Sequence, residues 1–456
     1  MHSSKQFKYF QIPLLILVFW SFIVSCSKNN GQTELVKGNA IVKKEPVQLN
    51  WVGQWKGEGL KEKLVRDIAR QFEFENPDIK VNLKFHQDIF AGESPAKFNT
   101  DRLMAEKSDW DLLWINDVDI FASSLNEGGN IPDYFVDLSV YSEIVNNHRP
   151  GIFDKAEFKS RWSNTIPGVA LDGADAVLWC NIELAEKIGI KVKQFDMSLD
   201  DFLEYLKAVK DYNSANNTNI YGIFDTDGWN LLLAIPQQLY CSEIGSFDYI
   251  MQDNLDDTKW AAFEKTVNAL EKIAQYKPLP SDTKYNWDND KSYPLKGNCL
   301  FYPQASYMYN IWLEVDSIAT KKMIPVQLPE LKPAQVYPGI YAIPWAIPKS
   351  SPHIAEAVRL MKYLASAQIA DQWIRYTKSP TGIKNSIVST SMGMDPYENF
   401  DYTINKKFGK TKIGFQGGTA RFLGSKNAGI VLDFKALMGG RISAVDFLNA
   451  VKSKLK

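Results

Sequence analysis

The chain of 456 residues has only four cysteines and four histidines. No two cysteines form a Cys-x-x-Cys pair and the histidines are scattered, so a zinc or redox site has almost no support, and we expect neither metal nor cofactor. If Cys26 is modified, Cys180, Cys241 and Cys299 remain. One disulfide plus a free thiol, or three buried thiols, both fit that number.

An excess of charge of either sign is also missing, because the formal net charge is -1. This balance indicates neither a nucleic-acid partner nor a basic face that would lie on a membrane. A long hydrophobic run is missing as well. The apolar stretch Ile12–Val24 is interrupted by Pro13 and Ser21 and is too short to span a bilayer comfortably, but it fits the hydrophobic part of an export signal.

That apolar stretch follows two basic residues, Lys5 and Lys8, and ends in Ile23-Val24-Ser25-Cys26. The ending resembles a bacterial lipobox, which implies cleavage before Cys26 and attachment of a lipid to its thiol. A plain signal peptide with an incidental cysteine is the alternative. We expect residues 1–25 to be the signal peptide and residues 26–46 to be a flexible tether, because that polar stretch has too few apolar residues to fold alone.

Alternating and helical periodicities predict an α/β protein. Val47–Trp51 and Ile79–Phe85 alternate as strands, and apolar residues recur at helical spacing between them, from Leu60 to Phe72. Such a strand–helix–strand unit implies parallel pairing. The apolar run Asp111–Asn116 predicts a third, buried strand, and further strands and helices follow to the C-terminus.

Four stretches resemble the family 1 extracellular solute-binding proteins, the maltodextrin- and sugar-binding group, and together they cover nearly all of Val47–Lys456. They are Phe72–Val81, Asp111–Asp117 with its continuation to Leu138, Asn181–Ile190, and Tyr341–Lys349 with the following helix. The resemblance implies a periplasmic-binding-protein-like fold of type II, with two α/β lobes joined by three crossings. We expect lobe one to comprise 47–166 and 305–337, lobe two to comprise 167–304 and 338–456, and the crossings to lie near Pro167–Asp175, Tyr302–Ser306 and Gly339–Ala346.

The resemblance also implies a function without catalytic residues. It predicts an exported, monomeric lipoprotein, facing the periplasm or the cell exterior, that captures a sugar or oligosaccharide between its lobes. The protein would present this ligand to the transmembrane permease subunits of an ABC importer. Thirteen tryptophans and 20 tyrosines favour a carbohydrate ligand, since such rings stack on a ligand and hydrogen bond at their edges, although packing is the commoner role of any single ring.

Candidate ligand-binding residues are polar and aromatic side chains near strand ends and crossings, where open α/β sheets bind ligands. Asp117 in particular can accept two hydrogen bonds from neighbouring hydroxyl groups. The candidates are Trp51, Trp55, Trp114, Asn116, Asp117, Asp175, Asp227, Trp229, Tyr302, Gln304, Tyr307, Tyr341 and Phe422.

Three alternatives remain open at this point. Aspartates and tryptophans in one cleft also suit a polyamine or another cationic or metal solute. An extracellular glycan hydrolase would use two carboxylates, although no glycosidase-like motif is visible. A surface adhesin or sensor subunit could keep the fold without an importer.

Overall fold

The computed structural model describes residues 45–90, 92–93, 95–115, 131–154, 165–225, 231–246, 257–281, 292–385, 396–409, 411–413, 420–423, 427 and 429–455. The chain divides into two units, Met1–Lys44 and Glu45–Lys456, and the described residues belong to the second. The expected signal peptide, Cys26 and nearly all of the expected tether lie outside the described residues.

Helices predominate among the described elements. In chain order they are α1 (Leu60–Glu75), α2 (His86–Ile89), α3 (Pro95–Met104), α4 (Ser142–Asn147), α5 (Ile182–Ile188), α6 (Leu199–Asn216), α7 (Ala234–Ile244), α8 (Asp257–Ala274), α9 (Met308–Val315), α10 (Ser317–Thr320), α11 (Ile354–Leu364), α12 (Ala367–Thr377), α13 (Pro396–Phe408), α14 (Ala420–Leu423), α15 (Phe434–Met438) and α16 (Ala444–Lys452). None of the helices described is both long and apolar enough to cross a membrane.

The first described segment, Val47–Phe85, has the predicted strand–helix–strand order. Strands β1 (Val47–Gly53) and β2 (Ile79–Phe85) pair in parallel over their whole length. Helix α1 buries one face, with Leu64, Ile68 and Phe72 at helical spacing, which covers this pair. The short strand β3 (Leu113–Trp114) pairs antiparallel with β9 (Trp345–Ala346), and Leu112 bridges to Trp51. The predicted third strand is thus confirmed in position but is only two residues long.

The larger sheet is built around the ten-residue strand β4 (Asp172–Asn181). Its first half pairs antiparallel with β8 (Tyr337–Ala342), and its second half pairs antiparallel with β6 (Cys299–Ala305) and with β7 (Met323–Val326). The short strands β5 (Tyr221–Ile223) and β10 (Lys412–Ile413) extend the sheet in parallel beside β6 and β8. One strand therefore holds together elements from distant parts of the sequence.

Buried apolar residues form two separate cores. The first core draws its members from 49–171 and 345–383, and the second core from 174–337 and 400–451. This grouping differs from the expected lobes in three segments. Val169 and Leu171 lie in the first core, although the expected lobe two begins at residue 167. Residues from Ala305 to Tyr337 pack in the second core because β7 pairs with β4, and the segment from Trp345 to Ile383 packs in the first core, where α12 lies against α1.

The three cysteines of the described part are free thiols, and all are fully buried. Burial raises the pKa of each thiol well above its ordinary value. Of the two cysteine arrangements compatible with the sequence, the structure has three buried thiols.

Candidate functional site

The carboxyl ends of β1, β2 and β3 lie side by side at one edge of the first core. Gln54 follows β1, His86 follows β2, and Trp114 ends β3. The His86 ring lies against the Trp114 ring, with 4.8 Å between centroids and 32° between planes. Asn99, from α3, donates its side-chain amide to the Trp114 carbonyl oxygen at 2.9 Å, which fixes the backbone at this point.

Several buried polar atoms at this edge have no hydrogen-bond partner within the described residues. They are Gln54 Oε1, His86 Nδ1 and Trp114 Nε1. Each such atom costs about 1–3 kcal/mol when it is left unpaired. Burial lowers the pKa of His86, against smaller opposing effects of a hydrogen bond to the Gly53 backbone and of Asp88, which favours the neutral imidazole. A cluster of unsatisfied donors and acceptors at strand ends is typical of a ligand-binding edge in α/β proteins.

Two of the sequence-predicted aromatic residues, Trp51 and Trp55, belong to a packed tryptophan cluster with Trp345 and Trp373. The Trp345 ring meets Trp51 edge-on at 4.8 Å and Trp55 edge-on at 5.5 Å, and its indole N–H donates to the Val52 carbonyl oxygen. All four rings are buried. The cluster therefore serves chiefly as packing at the end of β1, and Trp55 carries a strained left-handed backbone with φ 73°.

The buried Lys61 of α1 lies beside that cluster. Its Nζ is 3.1 Å from Asp172 Oδ1, 4.8 Å from the Trp55 ring centroid and 5.7 Å from that of Trp373. Sequence reasoning missed Lys61, although a signal was present. Lys61 falls on the same helical stripe as Leu64 and Ile68, where a lysine is unexpected.

Four further candidates cluster where β4 and β6 meet. Tyr307 donates its hydroxyl to Gln304 Oε1 at 3.3 Å. Asp175 and Ser306 are joined twice, because the Ser306 amide donates to the Asp175 carbonyl oxygen and the Asp175 amide donates to Ser306 Oγ. Tyr302 lies between Phe224 and Trp312 in the second core. Burial raises the pKa of Tyr307, with smaller raising effects from Tyr302 and from Glu58, which precedes α1.

Two of the remaining candidates, Tyr341 and Phe422, lie neither at the β3 edge nor in the cluster where β4 and β6 meet. Tyr341 donates its hydroxyl to Asn405, and Phe422 packs against Phe434 and Tyr240 inside the second core. Asn116, Asp117, Asp227 and Trp229 lie outside the described residues. Within the ranges that the structure describes, no group of three metal-ligating side chains occurs.

A family model described as bacterial extracellular solute-binding protein matches residues 56–371. No sequence among curated proteins matches the chain significantly.

The similar solved structures include apo RafE of Streptococcus pneumoniae, at 16% identity and TM-score 0.63, which covers 90% of this chain and 97% of its own. Maltose-bound MalE3 of T. maritima has 15% identity and TM-score 0.59, and covers 90% of this chain and 99% of its own. The sugar transporter BL01359 of Bacillus licheniformis, in complex with stachyose, has 18% identity and TM-score 0.53, with the same coverage of 90% and 99%. At these identities the likeness shows the fold, a periplasmic-binding-protein-like α/β structure of type II, in agreement with the fold class expected from the sequence.

Proposed function

Because the chain belongs to the bacterial extracellular solute-binding protein family, we propose that it captures a sugar or oligosaccharide between two lobes and presents it to the permease subunits of an ABC importer. Membership of this family makes it an exported binder of solutes. The family match over residues 56–371 is the observation that carries the proposal. Further support comes from the folds of MalE3 and BL01359, which are recorded with maltose and stachyose.

The β3 edge suits a neutral, hydroxyl-rich ligand. An indole N–H, a carboxamide oxygen and a neutral imidazole nitrogen are unpaired there, which offers both donors and acceptors to hydroxyl groups. Asn116 and Asp117 follow in sequence and would add an amide and a carboxylate. Since such a protein acts by closing around its ligand, it needs no catalytic residue, and we propose that it is not an enzyme.

We also propose a division into lobes that follows the two cores. Lobe one would comprise 47–171 and 345–385, and lobe two 174–337 and 396–455. What supports this division is that each buried cluster draws its members from these segments. The paired strands β4 and β8 run between the two cores and are the best candidates for a hinge, because their side-by-side hydrogen bonds connect both lobes.

Asp117→Ala and Trp229→Ala are each expected to weaken sugar binding at least about tenfold, since each removes about 1.4 kcal/mol or more of hydrogen bonding or ring stacking. A thermal-shift screen of sugars on the soluble form that begins after Cys26 identifies the ligand, and calorimetry then gives affinities. Asp211→Ala, on the exposed face of α6, is the control and should bind like the wild type. Unchanged sugar affinity in both variants would contradict the assignment of Asp117 and Trp229 to the binding site.

The same screen tests the alternative functions. Stabilisation by a polyamine, with none by any sugar, would favour a cationic solute. Turnover of a glycan that a single carboxylate substitution abolishes would favour a hydrolase. If no sugar, polyamine or glycan stabilises the protein, the result would favour an adhesin or a sensor subunit.

Membrane attachment is proposed to come from a lipid on Cys26. The polar tether of roughly 20 residues gives a coil-like reach of about 25 Å, which keeps the protein beside a permease. Cys26→Ser should therefore move the protein from the membrane fraction to the soluble fraction, as followed by immunoblotting. Ser27→Ala is the control and should stay with the membrane. If Cys26→Ser also stays there, the lipid is not the anchor.

A further inference from the structure

Lys61 occupies a place where an ammonium group is costly. It stands in the first turn of α1, at the positive end of the helix dipole, and only 2% of the residue is exposed. A buried charge persists only when its surroundings compensate for the water it has lost. The side chains around Lys61 must therefore form a cation-binding site.

The compensation comes from one carboxylate and two aromatic rings, which together with the lysine we call the Lys61 box (Trp55, Lys61, Asp172 and Trp373). Asp172 Oδ1 is 3.1 Å from Nζ, and the ring centroids of Trp55 and Trp373 are 4.8 Å and 5.7 Å away. Indole faces attract cations, most strongly where water is excluded, and cages of this kind bind ammonium ligands. The box thus has the chemistry of an ammonium receptor, but the chain's own lysine fills it.

Two more carboxyl groups lie near the box. Glu58 precedes α1, and burial raises its pKa, with further contributions from Asp172 and Glu314 against the opposing effect of Lys61. Glu314 lies directly over Gly59, where an added Cβ would come within 2.7 Å of its carboxylate oxygen. Without Lys61, the Asp172 carboxylate and the two indoles would remain around the same space, with Glu58 and Glu314 nearby.

The box lies between the two cores. Trp55 and Trp373 belong to the first core, and Asp172 begins β4. Glu314 comes from α9, whose Trp312 belongs to the second core. The charge of Glu58 also contributes to the raised pKa of Tyr307, which packs against the second core. The ammonium therefore lies where the proposed lobes face each other.

We propose that Lys61 is a tethered cation that closes this box to cationic solutes, so that the cleft accepts neutral, hydroxyl-rich ligands and rejects amines. The inference rests on the proposed function and specifies the charge of the ligand. A lysine attached to the site has a very high effective concentration, so a free amine cannot displace it at ordinary concentrations. A neutral sugar has no need to displace it.

Removal of the lysine side chain should turn the box into a site for a free amine. In Lys61→Ala, n-propylammonium chloride at about ten times its dissociation constant is expected to raise Tm by about 2 °C. The wild type should show no such rise, and neither should Lys61→Ala with n-propanol or with sodium chloride at matched ionic strength. Combining Lys61→Ala with Asp172→Asn removes the carboxylate and should abolish the effect of the amine.

Equal stabilisation of wild type and Lys61→Ala by the amine would overturn the proposal, and so would equal stabilisation of the variant by n-propanol. A second measurement uses the wild type alone and does not depend on the folding of any variant. Calorimetric titration with spermidine at low ionic strength should show no binding, and binding that competes with a sugar would overturn the inference. The failure of the proposed function is separable, because it would appear as the absence of any sugar ligand while the amine result for Lys61→Ala still stands.

Discussion

Gly168→Ala is expected to lower the free energy of unfolding by at least about 3 kcal/mol, because the new methyl group has no space. A Cβ at this position would lie 2.0 Å from the backbone carbonyl oxygen of Trp345 and 2.6 Å from the Ile343 side chain. A backbone oxygen cannot rotate away as a side chain can, so one of the two segments must move. Gly168 and Trp345 belong to two of the segments that the sequence predicts as crossings, and both lie beside the first core.

Chemical denaturation of the soluble form measures this effect. The matched control is Gly429→Ala, since Gly429 is exposed, has no heavy atom within 4 Å of an added Cβ and lacks a positive φ. The control should keep the stability of the wild type to within about 0.5 kcal/mol. Equal stability of the two variants would mean that the first crossing does not approach Trp345 this closely.

Local periodicity predicted the first part of the fold well. The alternation in β1 and β2 and the apolar spacing in α1 are short-range signals, and each matches the observed bounds closely. The capping box of α6 is a signal of the same local kind, since it joins Ser198 and Asp201, three residues apart, and both of its hydrogen bonds are present.

Long-range pairing was harder to predict. The sequence offers no local reason why the chain should remain in the second core after Ala305, because that depends on β7 pairing with β4 across more than a hundred residues. In the same way, nothing near Trp345 shows that its indole reaches the Val52 carbonyl oxygen. Aromatic residues were therefore assigned to the site where they could equally serve the core, as Trp51 does with no exposed surface.

Charged residues on apolar stripes were the overlooked signal for the site. Lys61 follows the helical spacing of buried leucine and isoleucine, and a buried cation demands partners that only the folded chain supplies. One of the scattered histidines is likewise a buried titratable residue with specific partners. His148 gave no motif, yet the structure makes it a junction between α4 and the first crossing.

His148 makes the protein lose stability in mild acid. Its Nδ1–H donates to the Ile144 carbonyl oxygen at 2.7 Å, and its Nε2 accepts the Ala170 amide at 3.0 Å, so the second hydrogen bond requires the neutral ring. Burial lowers its pKa from 6.5 to about 4, with the Ile144 hydrogen bond as a smaller opposing effect. Because the pKa of His148 is lower in the folded chain than in the unfolded chain, the folded state keeps its full stability above pH 6.5. As the pH falls from 6.5 towards 4, the unfolded chain gains this proton first and the folded state loses stability.

The loss follows from the size of the shift. A difference of about 2.5 pKa units corresponds to about 3 kcal/mol of unfolding free energy between pH 7 and pH 4. Other groups also titrate in this range, so the measurement compares the wild type with His148→Gln, whose amide can donate and accept but does not titrate. Denaturant unfolding at both pH values should show a fall about 3 kcal/mol smaller in His148→Gln than in the wild type. Equal falls would mean that His148 does not titrate differently in the folded and unfolded chains. His148 thus connects the first crossing to the first core, since the imidazole cannot be protonated without losing its hydrogen bond to the Ala170 amide.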